Sequence, residues 1–404
     1  MKILYVCHRF PFPPKRGGKI RPFNMIRHFA RSHDVTVCSL VRSAVEADEG
    51  AGIAANCKDY EMVRVNDGVQ ALRMVARLPT TTPSSFGFFH SGKLARRIRA
   101  RASRERFDLV FVHCSSVARY VEALQGVPKI LDFGDMDSQK WREYAVSKPA
   151  PLSWGYALEA RKLEREEARL ARRFDVCTAT TRGEWETLES YRTGAATDWF
   201  PNGVDSEYFA PSAVHYDEDQ IVFVGRMDYY PNQECMTRFC AEVWPQLRQK
   251  RPRVKLAIVG ADPSPSIRAL GELPGVTVTG SVPDVRPYLE AAALMVAPLN
   301  IARGTQNKIL EGMSAGVPVV ASRVAAGGVD ASAPDHLLLA TTPGEFVAAI
   351  MCILEDRSER ARLARAGRER VLSHHSWAQS MRRLDGIVER CVAGARSPRA
   401  SAAP

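Results

Sequence analysis

Residues 294–322, "LMVAPLNIARGTQNKILEGMSAGVPVVAS", decide how the chain is read. Two short apolar runs, LMVAPL and VPVVAS, lack the in/out alternation of a half-exposed sheet and fit strands buried on both faces of a parallel one. Between them lie a polar loop over 300–306 and a helical pattern that starts near Asn307. A loop that only reverses the chain needs Gly, Asn or Pro. It has no use for Lys308 and Glu311, which stand three apart and so on one face of the helix. The free N–H groups of such a turn and the positive end of the helix dipole make an anion site beyond the strand end. The lysine suits a phosphate and the acid can accept two neighbouring hydroxyls. A nucleotide carries both.

The same alternation of strand and helix runs from end to end. The first half offers KILYVC, VTVCSL, EMVRV, LVFVH, KILDF and VCTAT; the second offers IVFVG, KLAIVG, VTVTG, LMVAPL, VPVVAS and HLLLA, after a Pro-Asn-Gly break at 201–203. Because 404 residues exceed what one core usually holds, the pattern predicts two tandem doubly wound α/β domains of about six strands each. Their expected limits are 1–200 and 201–375, followed by a helix over 376–393 and a disordered tail over 394–404. Ligands of such sheets bind beyond the carboxyl ends of the strands, so two facing sheets are expected to share a central cleft. The pattern over 155–174 predicts a surface crossover helix with Leu163, Leu170 and Phe174 on one stripe.

Charge is uneven. Residues 1–195 hold 33 Lys and Arg against 22 Asp and Glu, whereas 196–404 hold 23 of each, so the whole excess of +11 lies in the first half. Its densest run, KLARRIRARASRERF (93–107), reads either as a solvated arginine helix or as a contact with an anionic membrane surface. A non-catalytic nucleic-acid-binding protein is a further alternative for the basic half, but that run has no aromatic residue interleaved with its arginines, so no nucleic acid is expected as a partner. The nine cysteines show no CxxC pair, and Cys7, Cys38, Cys57, Cys114, Cys177 and Cys352 fall mostly within apolar patterns, as small buried hydrophobes of a reducing compartment do. The opening MKILYVCHRFPF is too short in apolar residues for a signal peptide, and no stretch approaches 18 uninterrupted apolar residues. The expected place is the cytoplasm, peripheral at the inner face of the plasma membrane.

Three further sites follow from the residues themselves. In IVFVGRMDYYPN (221–232) a strand ends at Gly225 and Arg226, where glycine admits close approach of a ligand and guanidinium can bind a diphosphate bidentately. Gly17 and Gly18 lie between the first strand and an amphipathic helix carrying Ile20, Phe23, Ile26 and Phe29, without the order G-x-G-x-x-G. His113 closes LVFVH at the carboxyl end of a strand, where it points toward a ligand and can donate to a hydroxyl. DFGDMD (132–137) imitates two motifs. It lacks the Gly-rich loop, strand lysine and His-Arg-Asp set of a kinase. It also imitates an Asp-x-Asp metal motif of a fold with a single Rossmann-like domain, whereas two are predicted here. Asp135 and Asp137 follow a strand end, and Asp135 is the candidate general base.

Taken together, FPNGVDSEYF (200–209), FVGRMDYYPN, VTVTGSVPDVRPYLEAA (276–292) and NKILEGMSAGVPVVAS resemble, in order and spacing, glycosyltransferases of the two-Rossmann GT-B fold, most of all the retaining family 4. YVCHRFPFPPKRGGKIRPFN and LDFGDMDSQKW are further similar to sugar transferases associated with the PEP-CTERM/exosortase systems of bacterial exopolysaccharide loci. The resemblance spans nearly the whole chain. It implies a nucleotide-sugar donor on the second domain, a saccharide or lipid-linked acceptor, no cofactor and no obligatory metal.

By position, the resemblance implies diphosphate contacts from Arg226 and from a lysine position held here by Asn232 or a neighbour, leaving Lys308 to supply the missing charge. Asn202 falls in the matching FPNG stretch and joins the expected donor contacts. Of the family's two glutamates eight apart, Glu311 matches the one that binds ribose, while Arg303 stands where the one facing the transferred sugar would be. The loop amides of Gly304, Thr305 and Gln306 would then contact the sugar. Gly17 and Gly18 match the glycine loop near the donor phosphates and acceptor, and His113 a histidine against the transferred sugar. A nucleotide-sugar 2-epimerase shares the fold but needs more carboxylates and histidines than His113, Asp135 and Asp137. An NAD-dependent oxidoreductase falls with the missing glycine fingerprint.

Overall fold

A computed structural model describes residues 1–14, 17–212 and 216–396. They form two units: unit 1 comprises Met1–Phe200 and the chain from Met381 onward, and unit 2 comprises Pro201–Ser380.

Unit 1 is built on a sheet of seven parallel strands: β1 (Lys2–Cys7), β2 (Asp34–Val41), β3 (Asp59–Arg64), β4 (Leu109–His113), β5 (Lys129–Gly134), β6 (Val176–Ala179) and β7 (Ala196–Trp199). Their order is β3-β2-β1-β4-β5-β6-β7. Six strands were expected. The seventh, ATDW, is a four-residue edge strand with half-buried or exposed side chains, so it carries no apolar run by which to recognise it. The central strands are buried along both faces, as the lack of alternation required. Leu94 and Ile98 of the helix Gly92–Arg104, with Leu163 and Leu170 of the helix Leu152–Ala171, complete one core with Leu4, Val6, Val110, Val112 and Leu131. Each such side chain contributes about 1.5–3 kcal/mol by leaving water. The second of these helices starts three residues earlier than 155 and stops at Ala171, so Phe174 joins the core from beyond its end.

Unit 2 repeats the plan with β8 (Asp217–Val224), β9 (Lys255–Val259), β10 (Val276–Gly280), β11 (Ala292–Ala297), β12 (Val319–Ser322) and β13 (Leu338–Ala340), in the order β10-β9-β8-β11-β12-β13. All strand pairs are parallel. In each sheet the order reverses once, between β1 and β4 and between β8 and β11, and a doubly wound sheet binds its ligand at that reversal. β4 ends at His113, and the segments after β1, β8 and β11 carry Gly17 and Gly18, Arg226, and Lys308 with Glu311, respectively.

The final helix spans Trp377–Arg396 and belongs to unit 1 from Met381 on. Of the tail expected over 394–404, residues 394–396 are therefore helical and the remainder lies outside the described residues. All nine cysteines are free. Cys352 corrects the expectation of burial: it is exposed on the helix Pro343–Glu355, whose buried face is made by Phe346, Val347, Ile350 and Ile353. Cys57 and Cys114 are half-buried.

Candidate functional site

In unit 2 the ends of β8 and β9 come unusually close. The Gly225 N–H donates to the Val259 carbonyl at 2.9 Å and the Met227 N–H to that of Ala261 at 2.8 Å. A Cβ on Gly260 would lie 1.7 Å from the Gly225 oxygen, so only glycine fits. A Cβ on Gly225 would in turn lie 2.8 Å from Asn232 Nδ2 and 3.0 Å from Lys308 Nζ. Its absence lets these two side chains close over the strand end.

Asn232, buried in the first turn of the helix Tyr230–Glu242, donates through Nδ2 to the Arg226 carbonyl at 2.8 Å and accepts from Lys308 Nζ at Oδ1, 2.7 Å away. Lys308 Nζ also stands 4.3 Å from the centroid of the Phe223 ring, a cation–π contact. Burial pulls the lysine down to about 8, opposed by Cys235 and Glu311. Burial likewise pushes Glu311 up to about 7, opposed by Lys308. Both side chains are half-buried, and among the described residues the Glu311 carboxylate accepts no hydrogen bond and forms no ion pair. A half-buried carboxylate with no hydrogen bond leaves its oxygens available to a ligand.

Lys308 and Glu311 ride on the helix Asn307–Ser314, whose first residue is the one the sequence indicated. No side chain caps that helix. Asn202 Nδ2 meets Asn307 Oδ1 at 3.4 Å. In the loop before it, Gly304 has φ +61°, and a Cβ on Gly328 would lie 1.8 Å from the Gly304 oxygen, so the loop is pressed against a second glycine. Gln306 Nε2 donates to the Arg303 carbonyl at 3.0 Å, and Arg303 itself is half-buried. Thr305 Oγ1 is buried and has no partner among the described residues.

Arg226 is placed beside this group but is already engaged. It makes a bidentate pair with Asp228, at 3.0 and 2.7 Å, and reaches Asp262 at 2.5 Å. Any phosphate on Arg226 would have to share the guanidinium with these acids. Asp228 was legible as a neighbour in sequence, whereas Asp262 comes from the turn after β9, with φ +58°.

In unit 1 the register across the sheet aligns Cys7 of β1, His113 of β4, Asp132 of β5 and Thr178 of β6 in one row at the carboxyl ends. His113 Nδ1 is 2.8 Å from Asp132 Oδ2. Arg21 donates from Nε and Nη2 to the two oxygens of that carboxylate, at 2.9 and 3.0 Å, and from Nη1 to the Phe200 carbonyl at 3.0 Å. Thr178 Oγ1 donates to Asp132 Oδ1 at 2.9 Å. Asp132 is fully buried, and although burial alone would raise its pKa, Arg21 and His113 hold the carboxyl well below the usual range. A carboxylate accepting at Nδ1 puts a proton on that nitrogen and leaves Nε2 as the ring's other polar atom. The His8 ring centroid lies 5.7 Å from that of His113. His8 Nδ1 is buried and unpartnered among the described residues, and burial together with His113 keeps the ring neutral.

Sequence reading singled out Asp135 and passed over Asp132, Arg21, Thr178 and His8. Asp135 lies one residue past β5 and is exposed, while Asp132 faces His113 by register. Gly17 and Gly18 prove to be the first two residues of the helix Gly17–Phe29, with open space where a Cβ would stand. Among the described residues no three His, Cys, Asp or Glu side chains gather as a metal-holding group.

Residues 16–208 match the family model described as Glycosyltransferase Family 4, and residues 218–356 the one described as Glycosyl transferases group 1. Among curated proteins, glycosyltransferase 1 domain-containing protein 1 of Xenopus tropicalis is 27% identical over 146 residues, which cover 34% of this chain and 42% of that one. The match thus spans less than half the length of that relative. Sucrose-phosphate synthase of Thermosynechococcus elongatus has a similar structure, with TM-score 0.72, 16% identity and coverage of 98% of this chain and 100% of the other. HepE of Anabaena, solved with UDP, gives TM-score 0.69 at 15% identity over 96% and 100% of the chains. Solved with UDP-glucose it gives 0.68 at 14% over the same shares.

Proposed function

We propose that this chain, a GT-B protein of the group 1/family 4 glycosyltransferase type, moves a hexosyl group from a nucleoside diphosphate sugar held on unit 2 to a hydroxyl of a saccharide or lipid-linked acceptor. One observation carries the reading: Lys308 Nζ sits on Asn232 beside Gly225, with the unpartnered Glu311 carboxylate three residues further along the same helix. A cation and a free acid at that spacing fit a phosphate and a ribose diol. That HepE of Anabaena has been solved with UDP-glucose supports a nucleotide sugar as the ligand.

The chemistry then follows from the side chains. The leaving group is a diphosphate whose negative charge grows as the glycosidic bond breaks, and groups fixed in advance stabilise it best. Lys308, the uncapped first turn of its helix and the amides of Gly304, Thr305 and Gln306 supply positive charge and donors. Arg226 adds to them when it turns from Asp228 and Asp262. No step of this scheme calls for a metal. On unit 1, the Arg21–Asp132 pair fixes His113 through Nδ1, leaving Nε2 to meet a sugar hydroxyl. Asp135, exposed at the end of β5, serves as the base for the acceptor hydroxyl. Retention at the anomeric carbon and a role in surface polysaccharide synthesis complete the reading and rest on the motif likeness alone.

Thermal-shift screening against UDP-, GDP-, ADP- and dTDP-sugars tests it. A true donor raises the melting temperature at micromolar concentration, because a ligand of the native state stabilises it by mass action. Absence of a shift with all four classes overturns the donor assignment.

A further inference from the structure

The helix Asp67–Ala76 of unit 1 is built inside out. The one residue it buries is Gln70, whose Nε2 donates to the carbonyls of Phe88 and His90, each at 2.9 Å. Val69, Leu72 and Val75 face water instead, Leu72 being 71% exposed, and Leu78 continues the exposed strip beyond the helix end. A surface helix normally hides its apolar stripe. A second apolar face adjoins it. Lys162 Nζ donates to the carbonyls of Arg77 and Leu78, at 3.2 and 2.8 Å, which ties the helix Leu152–Ala171 to this segment. One and two turns before Lys162 stand Leu158 and Trp154, both exposed, the tryptophan at 71%.

Beside the strip is a cluster of cations. Arg77 is half-buried, and its guanidinium has no acidic or hydrogen-bonding partner among the described residues. Burial and the neighbouring Arg119 and Arg73 pull Arg77 down, and burial with the same three arginines pulls down His90. The nearby acids are already committed: Glu166 to Arg119 and Arg169, Asp67 to Arg42, and Glu159 to the backbone N–H groups of Ser84 and Ser85. Crowded arginines beside exposed Leu, Val and Trp match a surface that is anionic outside and apolar beneath.

We propose that this face of unit 1 docks on an anionic lipid membrane, with Leu72, Val75, Leu78 and Trp154 entering the interface and Arg73 and Arg77 meeting lipid phosphates. The arginine run at 93–107 is the poorer candidate. Its apolar residues Leu94 and Ile98 are buried, Arg97 is paired with Glu61, and Arg101 with Asp59 and Glu61, so no apolar face remains to enter a membrane. The docking face does not depend on the transfer reading, and its test uses no turnover.

The full chain is to be sedimented with vesicles of phosphatidylcholine alone and of phosphatidylcholine with 30 mole per cent phosphatidylglycerol, a composition of about one charged lipid in three. Wild type should partition onto the anionic vesicles. Leu72→Ser/Val75→Ser/Leu78→Ser should lower its partition coefficient at least about ten-fold with an unchanged melting temperature, since those side chains are exposed. Arg77→Gln should lower it about five-fold on anionic vesicles only. Arg99→Glu/Arg106→Glu should change it less than the triple serine variant does. Indifference of wild type to both vesicles, retention of the triple variant, or binding of inorganic phosphate by Arg77 without any vesicle binding would each overturn the proposal.

Discussion

His113 and Asp132 stand 2.8 Å apart, Nδ1 to Oδ2, on the neighbouring strands β4 and β5, and the carboxylate is wholly out of water. Arg21, 111 residues away in sequence, neutralises that carboxylate with two hydrogen bonds. The pair is therefore both a structural tie between the helix Gly17–Phe29 and the sheet and the device that holds the histidine ring through Nδ1.

Replacing Asp132 by Asn keeps the shape but leaves Arg21 buried without its countercharge. The expected cost is about 3–5 kcal/mol, read as a lower urea midpoint at neutral pH. The sign with pH is set by the lowered carboxyl: its contribution is complete above the ordinary aspartate value of about 4 and fades as pH falls below it. Wild type and Asp132→Asn should thus converge in stability toward pH 2. A gap that stays constant down to that pH would show that the charge is not what stabilises.

Gly260→Ala places a methyl 1.7 Å from the Gly225 carbonyl oxygen, so the ends of β8 and β9 must separate. Loss of at least about 2 kcal/mol follows from backbone strain of this kind. Because Asn232 and Lys308 close over Gly225, nucleotide affinity should fall further than the change in stability accounts for. A variant with wild-type melting temperature and wild-type affinity would remove Gly225 from the site.

The pH dependence of nucleoside diphosphate binding should be bell-shaped. Glu311 acts as an acceptor when ionised, so affinity rises through about 7, and Lys308 acts when protonated, so affinity falls above about 8. Glu311→Gln should erase the acidic limb and leave the basic one. Stability gives an independent check. The folded state raises the Glu311 value, so wild type loses stability as pH rises from about 4.5 to about 7, and the variant should not.

Arg226 offers a prediction through its neighbours. Asp262→Asn frees one of its two acidic partners, and if Arg226 turns to the diphosphate, affinity for the nucleotide should rise about two- to five-fold, within the range of an exposed ion pair. Arg226→Ala should then lower affinity, and equal affinity in both variants, measured by calorimetry, would leave Arg226 a rim ion pair.

Much of this was legible in the sequence for a physical reason. Strands buried on both faces give continuous apolar runs, as β1, β4 and β11 do, and twelve of the thirteen described strands overlap a run read from the sequence. The exception, β7, is short and at an edge, where burial imposes no pattern. Lys308 and Glu311 could be joined from spacing alone because they share one helix. Asp132 could not be told from Asp135 in that way: which aspartate meets His113 depends on the register between β4 and β5, and the spacing along one strand does not fix it. Arg21 and Asp262 reach their partners through the fold and leave no local trace. The helix Asp67–Ala76 shows the opposite case, an amphipathic pattern that sequence logic would turn inward and that the packing of Gln70 turns outward.

The central claim is that Lys308 and Glu311 hold a nucleoside diphosphate on unit 2, and titration calorimetry with UDP, GDP, ADP and dTDP addresses it most directly. Wild type should bind one of the four with unit stoichiometry. Lys308→Ala and Glu311→Ala should each weaken that binding about ten-fold or more, as expected for loss of a charge-assisted contact, with the fold intact by circular dichroism. Binding of none of the four by wild type, or unchanged affinity in both variants, would contradict the account.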